Sequence, residues 1–294
     1  MKKLLLFVNP YSGKKLGLEY AQKIKDFLQD KDFLIDEVIS ERTGFLHEYM
    51  LKNDLSSYEM IGIVGGDGTM SEVVNAIFQK DAVKNPPLLL FPAGSGNAFN
   101  HDLMNLDFEK SLQKIISPKY KKIDVLEYRN ATQKYYSFNI IGWGLVSQIT
   151  QTSETLRWMP DVRYTLAAVW NIFKNPKFRG KITVGIEKFE GDFCFVLLCN
   201  TKFTGKAMKM APFADLEDGL VDVLIIKHLS MLTLLQLFPL IFSGKHIESE
   251  NLTFRQSSKI TVEAEPSALV VDGEIMLTTP YTVEVKHQSL LVVV

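Results

Sequence analysis

Apolar positions in the first 124 residues fall into short unbroken runs that alternate with stripes of helical spacing. Residues 4–8 form an apolar run of strand length, and Tyr20, Ile24, Phe27 and Leu28 then recur on one helical face. The pattern predicts a strand at 33–39, a helix at 45–51, a strand at 60–64 and a helix at 70–79 carried by Val73, Val74 and Ile77. A further strand at 88–91 ends in the turn 92–97. Strands alternating with helices imply a parallel sheet covered on both faces. From about residue 121 strand-like runs dominate, at 121–128, 134–141, 180–187, 192–199, 220–226, 258–264, 268–271, 281–286 and 289–294. Helical patterns remain near 163–173 and 230–242. The expected fold class is α/β plus β: an α/β domain over 1–124 and a mostly antiparallel β-sandwich domain over 125–286. No internal repeat or low-complexity tract interrupts this reading.

Composition narrows the class. A chain of 294 residues, 46% hydrophobic and 23% charged, is a folded globular protein of one large or two ordinary domains. A net charge of −1 gives no bulk attraction to nucleic acid, so no nucleic-acid partner is expected. Cys194 and Cys199 lie five apart on one predicted strand, which puts them on opposite faces. Both read as reduced thiols of a cytoplasmic protein. The five histidines show no paired ligand spacing, so zinc is not expected. The amino-terminal apolar run has five residues and no small-residue cleavage site after it, so it reads as a core strand rather than a leader. The longest apolar stretch, 231–242, is broken by Gln236 and Pro239 and is too short to span a bilayer. It reads either as a core helix or as a membrane-touching one. Lys202, Lys206 and Lys209 read either as a solvated loop or as contacts to anionic headgroups.

Three small polar loops fall at the carboxyl ends of predicted parallel strands, where such sheets bind ligands. The densest is Gly65-Gly66-Asp67-Gly68-Thr69. Its glycines let backbone approach a ligand without an intervening Cβ, and free N–H groups at a helix start suit phosphate. Asp67 would repel that phosphate unless a metal ion or a proton sits between them. Thr69 and Glu72 have the spacing of a capping box. The loop Asn9-Pro10-Tyr11-Ser12-Gly13, with Lys14 and Lys15 behind it, and the loop Gly94-Ser95-Gly96-Asn97 are either polar turns or partners of that cradle. Neither is a Walker A loop, and no Gly-x-Gly-x-x-Gly occurs. Late in the chain, Asp272-Gly273-Glu274 reads as a hairpin turn or as a carrier of a general base, Glu274. The segment 215–220 is an acidic turn or a cation site.

Taken in order, these motifs resemble the diacylglycerol kinase and sphingosine kinase catalytic-domain family over nearly the whole chain. Asn9, Pro10, Tyr11, Ser12 and Gly13 resemble its first nucleotide loop, and Ser40-Glu41-Arg42 a segment whose hydroxyl residue touches the nucleotide. Gly65, Gly66, Asp67, Gly68 and Thr69 with Glu72 resemble the central signature. Pro92 to Ala98, with Gly94, Ser95 and Asn97, resembles the loop of sphingosine and ceramide kinases. Ile123-Asp124-Val125 resembles a later aspartate motif. Ala211-Pro212 through Leu220 resembles a structural magnesium loop, with Asp218 as side-chain ligand and Asp215 and Leu220 contributing backbone.

The resemblance implies a lipid kinase with ATP and Mg²⁺ as cofactors. It implies nucleotide held by 9–13 and 65–69 in a crevice between the domains, and magnesium bridged to Asp67 with Asp124 in the same network. Glu274 would take the proton of a lipid hydroxyl that attacks the γ-phosphate in line. The final strand, 287–294, is expected to pack back on the first domain. The partner implied is a lipid alcohol met in transient contact at the membrane surface; a homodimer stays open. Two departures stand out. Ala98 follows Asn97 where many bacterial diacylglycerol kinases have aspartate, with Asp102 nearby. Gln148 stands where sphingosine kinases place an amine-binding aspartate, which keeps neutral lipid alcohols in play. An NAD kinase-like enzyme, which shares Gly-Gly-Asp-Gly-Thr, and a non-catalytic nucleotide- or lipid-binding module are the competing readings.

Overall fold

Parallel pairing organises the first part of the chain in the computed structural model, which describes every residue except 14, 81–84, 95, 96, 104, 157, 160, 161, 206 and 207. The chain divides into two compact units, Met1–Ile123 with Gln288–Val294, and Asp124–His287. In the first unit the elements run β1 (Lys2–Val8), α1 (Gly17–Leu28), β2 (Phe33–Ile39), α2 (Phe45–Lys52), β3 (Met60–Gly65), α3 (Asp67–Lys80), β4 (Leu88–Pro92), α4 (Ala98–Asp102) and α5 (Phe108–Ile116). Strand β1 lies between β2 and β3, β3 pairs β4, and every one of these pairings is parallel. Leu4, Leu5, Leu6, Phe7 and Val8 are all fully buried, because a parallel strand covered on both faces needs apolar side chains at consecutive positions. The last strand adds to this sheet beside β4, with Val292 opposite Leu88.

The second unit is antiparallel. It comprises β5 (Tyr120–Arg129, whose start lies in the first unit), β6 (Lys134–Ser137), β7 (Ile140–Gly144), α6 (Leu145–Thr155), α7 (Arg163–Lys174), β8 (Phe178–Val184), β9 (Glu187–Cys199) and β10 (Val221–Lys227). There follow α8 (Met231–Leu237), 3-10 turns at Phe238–Phe242 and Lys245–Glu248, β11 (Thr253–Ser257), β12 (Lys259–Ala264), β13 (Ala268–Val271), β14 (Glu274–Thr278) and β15 (Tyr281–Val293). Strand β9 is the hub, pairing β7, β8 and β10. One core gathers Trp143, Phe193, Val223 and Ile260; another gathers Leu145, Ile172, Leu197 and Leu234 beneath the helices. The expected α/β plus β class is the one observed.

Several elements differ from the pattern. The run 134–141 breaks into β6 and β7 around Phe138 and Asn139, and 281–294 is one strand rather than two. Helix α6 has no strong helical signal, being rich in Ser, Thr and β-branched residues. Its hydroxyls are spent on nearby backbone: Ser147 Oγ donates to Gly142 O of β7 at 3.0 Å and Thr150 Oγ1 to Val146 O within the helix at 3.1 Å. Cys194 and Cys199 are both buried and unbridged, but they belong to the same core rather than to opposite faces. A bulge is the reason: Ile226 pairs Phe195 while Lys227 pairs Phe193, so the alternation skips at Cys194. The stretch 231–242 leaves the α-helix at Pro239's turn and is split in character. Leu234 and Leu237 are core residues, whereas Leu232 and Phe242 are exposed. No helix among the described residues is long and apolar enough to cross a membrane.

Candidate active site

The three loops of the first unit meet backbone to backbone. Asn9 follows β1 and its Nδ2 donates to Thr69 Oγ1 at 3.1 Å, while its Oδ1 accepts from Tyr11 N at 3.0 Å. Gly13 has φ +55, and a Cβ there would lie 2.3 Å from Ala93 O. A Cβ on Gly94 would lie 2.6 Å from Gly66 Cα. Glycine is therefore required by contact as well as by conformation. Ser12 is buried beside this junction, Pro10 is half-buried and Tyr11 is exposed. Ser40 closes β2, with its N–H on Val8 O at 2.8 Å and its Oγ donating to Arg42 O at 3.1 Å. Asn97 has φ +46 and a buried Oδ1 with no hydrogen-bond partner among the described residues. Ser95, Gly96 and Lys14 lie outside the described residues.

Helix α3 begins at Asp67, which places Gly68 and Thr69 in its first turn. The capping box expected of Thr69 and Glu72 does not form. Thr69 is already inside the helix and its hydroxyl is engaged by Asn9. Glu72 instead accepts from Gly44 N at 2.8 Å and Leu46 N at 3.2 Å, so α3 caps the start of α2. Asp67 is half-buried; Ala98 N donates to its Oδ2 at 3.0 Å and Phe99 N to its Oδ1 at 3.4 Å. Burial pushes its carboxyl up, against the downward pull of those two N–H groups.

In the second unit Asp124 is fully buried. Gly219 N donates to its Oδ2 at 2.6 Å, its Oδ1 lies 3.0 Å from His287 Nδ1, and its own N–H reaches Leu216 O at 2.7 Å. The 215–220 loop is thus strapped to Asp124. Yet Asp215 Oδ1 accepts from Glu217 N and Asp218 Oδ1 from Leu220 N, and both side chains are exposed. Among the described residues no three His, Cys, Asp or Glu side chains gather to hold a metal ion. The set expected of 215–220, with Asp218 as the side-chain ligand and backbone from Asp215 and Leu220, is not a cluster of that kind; the contacts turn the Asp215 and Asp218 side chains onto backbone N–H groups and Asp124 onto Gly219 and His287. Asp67 fits a different mode, in which Mg²⁺ takes one or two carboxylates and completes its shell with substrate phosphates and water.

Glu274 opens β14 and is exposed. It follows a two-residue turn in which Asp272 (φ +50) and Gly273 (φ +93) are both left-handed, a tight hairpin of the primed type. Asp272 is buried and holds that turn against the β6–β7 connection. Its carboxylate accepts from Ser137 Oγ at 2.6 Å and from Phe138 N, Asn139 N and Ile140 N at 3.0–3.3 Å. Burial pushes its pKa up to about 7 against those donors.

Beside this hairpin lies an apolar pocket of about 200 Å³, lined by Leu145, Ile149, Ile172, Phe195, Leu234 and Phe238 among others, and reaching Gly273. No local motif announces it, since its walls come from helices and strands scattered over more than a hundred residues. Gln148 sits half-buried on α6, off its lining.

Known proteins share this arrangement. The diacylglycerol kinase catalytic domain matches residues 3–128, and the YegS C-terminal NAD kinase beta sandwich-like domain matches residues 139–294. Sphingosine kinase 2 of Arabidopsis thaliana is 27% identical, over 99% of this chain and 72% of its own length. A diacylglycerol kinase of Bacillus subtilis (strain 168) is 23% identical, over 93% of this chain and 90% of its own. A crystal structure of a diacylglycerol kinase from Bacillus anthracis strain Sterne has the same fold, with a TM-score of 0.73 at 20% identity over 99% of this chain and 96% of that one. Both halves of the sequence thus place the chain in the lipid kinase family, and the fold agrees with that of its structural neighbours. The chain belongs to the diacylglycerol kinase and sphingosine kinase catalytic-domain family.

Proposed function

We propose that the protein transfers the γ-phosphate of ATP to the hydroxyl of a membrane lipid alcohol. The observation that carries this reading is the apolar pocket that reaches Gly273, the neighbour of Glu274. An apolar acceptor tail has a place to be buried, and the residue next to its lining carries a carboxylate. The glycine junction of Gly13, Gly66 and Gly94 supports nucleotide binding in the first unit, because it packs three loops together at the carboxyl ends of parallel strands, where such sheets bind ligands, with no side chain between them.

Each residue then has a distinct task. Asn9, Ser12, Ser40, Thr69 and Asn97 orient the nucleotide, with the Asn97 Oδ1 left over as an acceptor for one of its N–H or O–H groups. Asp67 holds Mg²⁺, which when bound neutralises phosphate charge. Glu274 accepts the proton of the lipid hydroxyl as that oxygen attacks phosphorus. Catalysis of this kind rests on positioning and charge neutralisation, with general-base help adding on the order of 10²–10⁴-fold. Brief contact with a bilayer supplies the lipid.

The test is labelled ATP offered with diacylglycerol, ceramide, sphingosine, phosphatidylglycerol or NAD. Label on a lipid alcohol is the expected result; label on NAD alone, or on nothing, sinks the proposal. Glu274→Gln is expected to lose about 10²-fold or more in turnover while ATP binding, read by calorimetry, is unchanged. Equal loss of ATP binding would remove Glu274 from the role of base.

A further inference from the structure

Asp67 receives its two backbone donors, Ala98 N and Phe99 N, from a helix too short to hold itself in place. Helix α4 has five residues, and an isolated turn of that length is unstable in water. Asn97 before it is left-handed and gives it no side-chain cap. Ala98 and Phe99 are buried, which presses α4 onto the core, but apolar contact has no direction and does not set where an N–H points. The directional contacts come from Asn105.

Asn105 is 1% exposed and joins three elements. Its Nδ2 donates to Leu90 O of β4 at 2.7 Å and, over a longer 3.4 Å, to Asn100 Oδ1 of α4. Its backbone N–H donates to Asn100 O at 2.8 Å. Its Oδ1 accepts from Lys114 Nζ of α5 at 2.8 Å and lies 2.9 Å from Ser111 Oγ. A carbonyl only accepts and an ammonium only donates, so Leu90 and Lys114 together fix which end of the amide faces which element. Lys114 is half-buried, and burial holds its ammonium below the ordinary lysine range, so the amide oxygen is what that position offers it. The contacts close a ring. Asp67 is tied to α4, α4 to Asn105, Asn105 to β4, and β4 pairs β3, which leads through Gly66 back to Asp67.

We propose that Asn105 is a positioning residue that acts through α4 on Asp67, holding Ala98 N and Phe99 N where they fix the carboxylate in one orientation, with Lys114 holding Asn105 in turn. The inference rests on the lipid kinase reading for the task of Asp67, and adds to it the residues that set its geometry. A carboxylate released from those donors keeps its charge but not its direction, so the ordering that the fold had supplied must be supplied on binding.

The experiment compares the full chain with Asn105→Ala, Lys114→Met, Lys114→Arg and Asp67→Asn. Amide hydrogen exchange, read by NMR without substrate, comes first. Asn105→Ala is expected to speed exchange at Ala98 and Phe99 by about ten-fold or more, with β1 and β3 unchanged. Calorimetry with Mg²⁺ and the non-hydrolysable β,γ-imido analogue of ATP is expected to show binding about ten-fold weaker. Lys114→Met should move both readouts the same way and by less, and Lys114→Arg, which still donates to the amide oxygen, should restore them. Turnover supplies a double-mutant cycle. Adding Asn105→Ala to Asp67→Asn is expected to leave turnover within about two-fold of Asp67→Asn alone, because the group it acts through is already disabled. Unchanged exchange at Ala98 and Phe99 in both Asn105→Ala and Lys114→Met overturns the inference, as does an equal loss of turnover in the two backgrounds. Lys114→Met decides by the same exchange measurement if Asn105→Ala does not fold. Faster exchange and weaker metal–nucleotide binding in a protein that phosphorylates no lipid defeats the kinase reading and leaves the positioning role standing; lipid phosphorylation with unchanged exchange does the reverse.

Discussion

Asp67 in the first unit and Asp272 in the second each stand just past the end of a strand, next to a glycine, and each receives backbone N–H groups from a segment far away in sequence. Burial raises the carboxyl of both. They differ in how much of the carboxylate is used. Asp272 takes one hydroxyl and three N–H donors and has no capacity to spare. Asp67 takes two N–H donors, one of them long at 3.4 Å, and remains half-buried. An Asp-Gly pair is thus a fully used staple in one unit and a carboxylate with acceptor capacity left in the other. The count of donors, not the dipeptide, separates the two.

The largest effect follows from the staple. Asp272→Ala leaves four buried donors unanswered and is expected to cost about 3–5 kcal/mol, read from urea unfolding. A loss below about 1 kcal/mol would mean that Asp272 is no more committed to structure than Asp67. The pH dependence has a definite sign. With a folded pKa of about 7 against an ordinary unfolded carboxyl of about 4, the folded state binds the extra proton. Its stabilising share is full below about pH 4 and is lost as pH rises through about 7. Asp272→Asn should flatten that decline, and an unchanged pH–stability profile would assign it to another group.

Asp67 should give the opposite signature, a large change in rate with a small change in stability. Asp67→Asn keeps an oxygen for Ala98 N, so stability is expected to shift by no more than about 1 kcal/mol. Turnover with ATP and lipid is expected to fall by on the order of 10²-fold or more, because the charge proposed to hold Mg²⁺ is gone. Near-normal turnover would reduce Asp67 to a cap on α4 and erase the contrast with Asp272.

The same contrast explains what could be read from the residues. The parallel strands near 4–8, 60–64 and 88–91 were legible because two-sided burial demands contiguous apolar residues. The three loops were legible because they work through backbone, and backbone work leaves glycines in the sequence. The pocket left no such mark. Leu145, Phe195 and Leu234 belong to separate elements and look like any core residues until the fold brings them together. Helix α6, which supplies part of that wall, is held by packing against weak local propensity. The Cys194–Cys199 reading failed through a single bulge, which no periodicity reveals. The Asp272 staple was hidden because its four partners lie more than a hundred residues upstream.

Glu72 offers the finest test of whether donor count predicts role. Like Asp67 it receives two backbone N–H groups and is half-buried, yet its partners, Gly44 and Leu46, begin α2 rather than border the glycine junction. If position beside the junction is what makes a two-donor carboxylate functional, Glu72 is structural alone. Glu72→Ala is then expected to cost about 1 kcal/mol, the usual worth of a helix cap, and to leave the KM for ATP unchanged. Glu72→Gln, which keeps one strong acceptor but loses the charge at the helix start, should cost about half as much. Thermal unfolding and ATP titration of the two variants separate the possibilities. A several-fold rise in KM without loss of stability would show that the carboxylate acts on the nucleotide, and that two N–H donors leave an acid free to serve a ligand wherever it stands on α3.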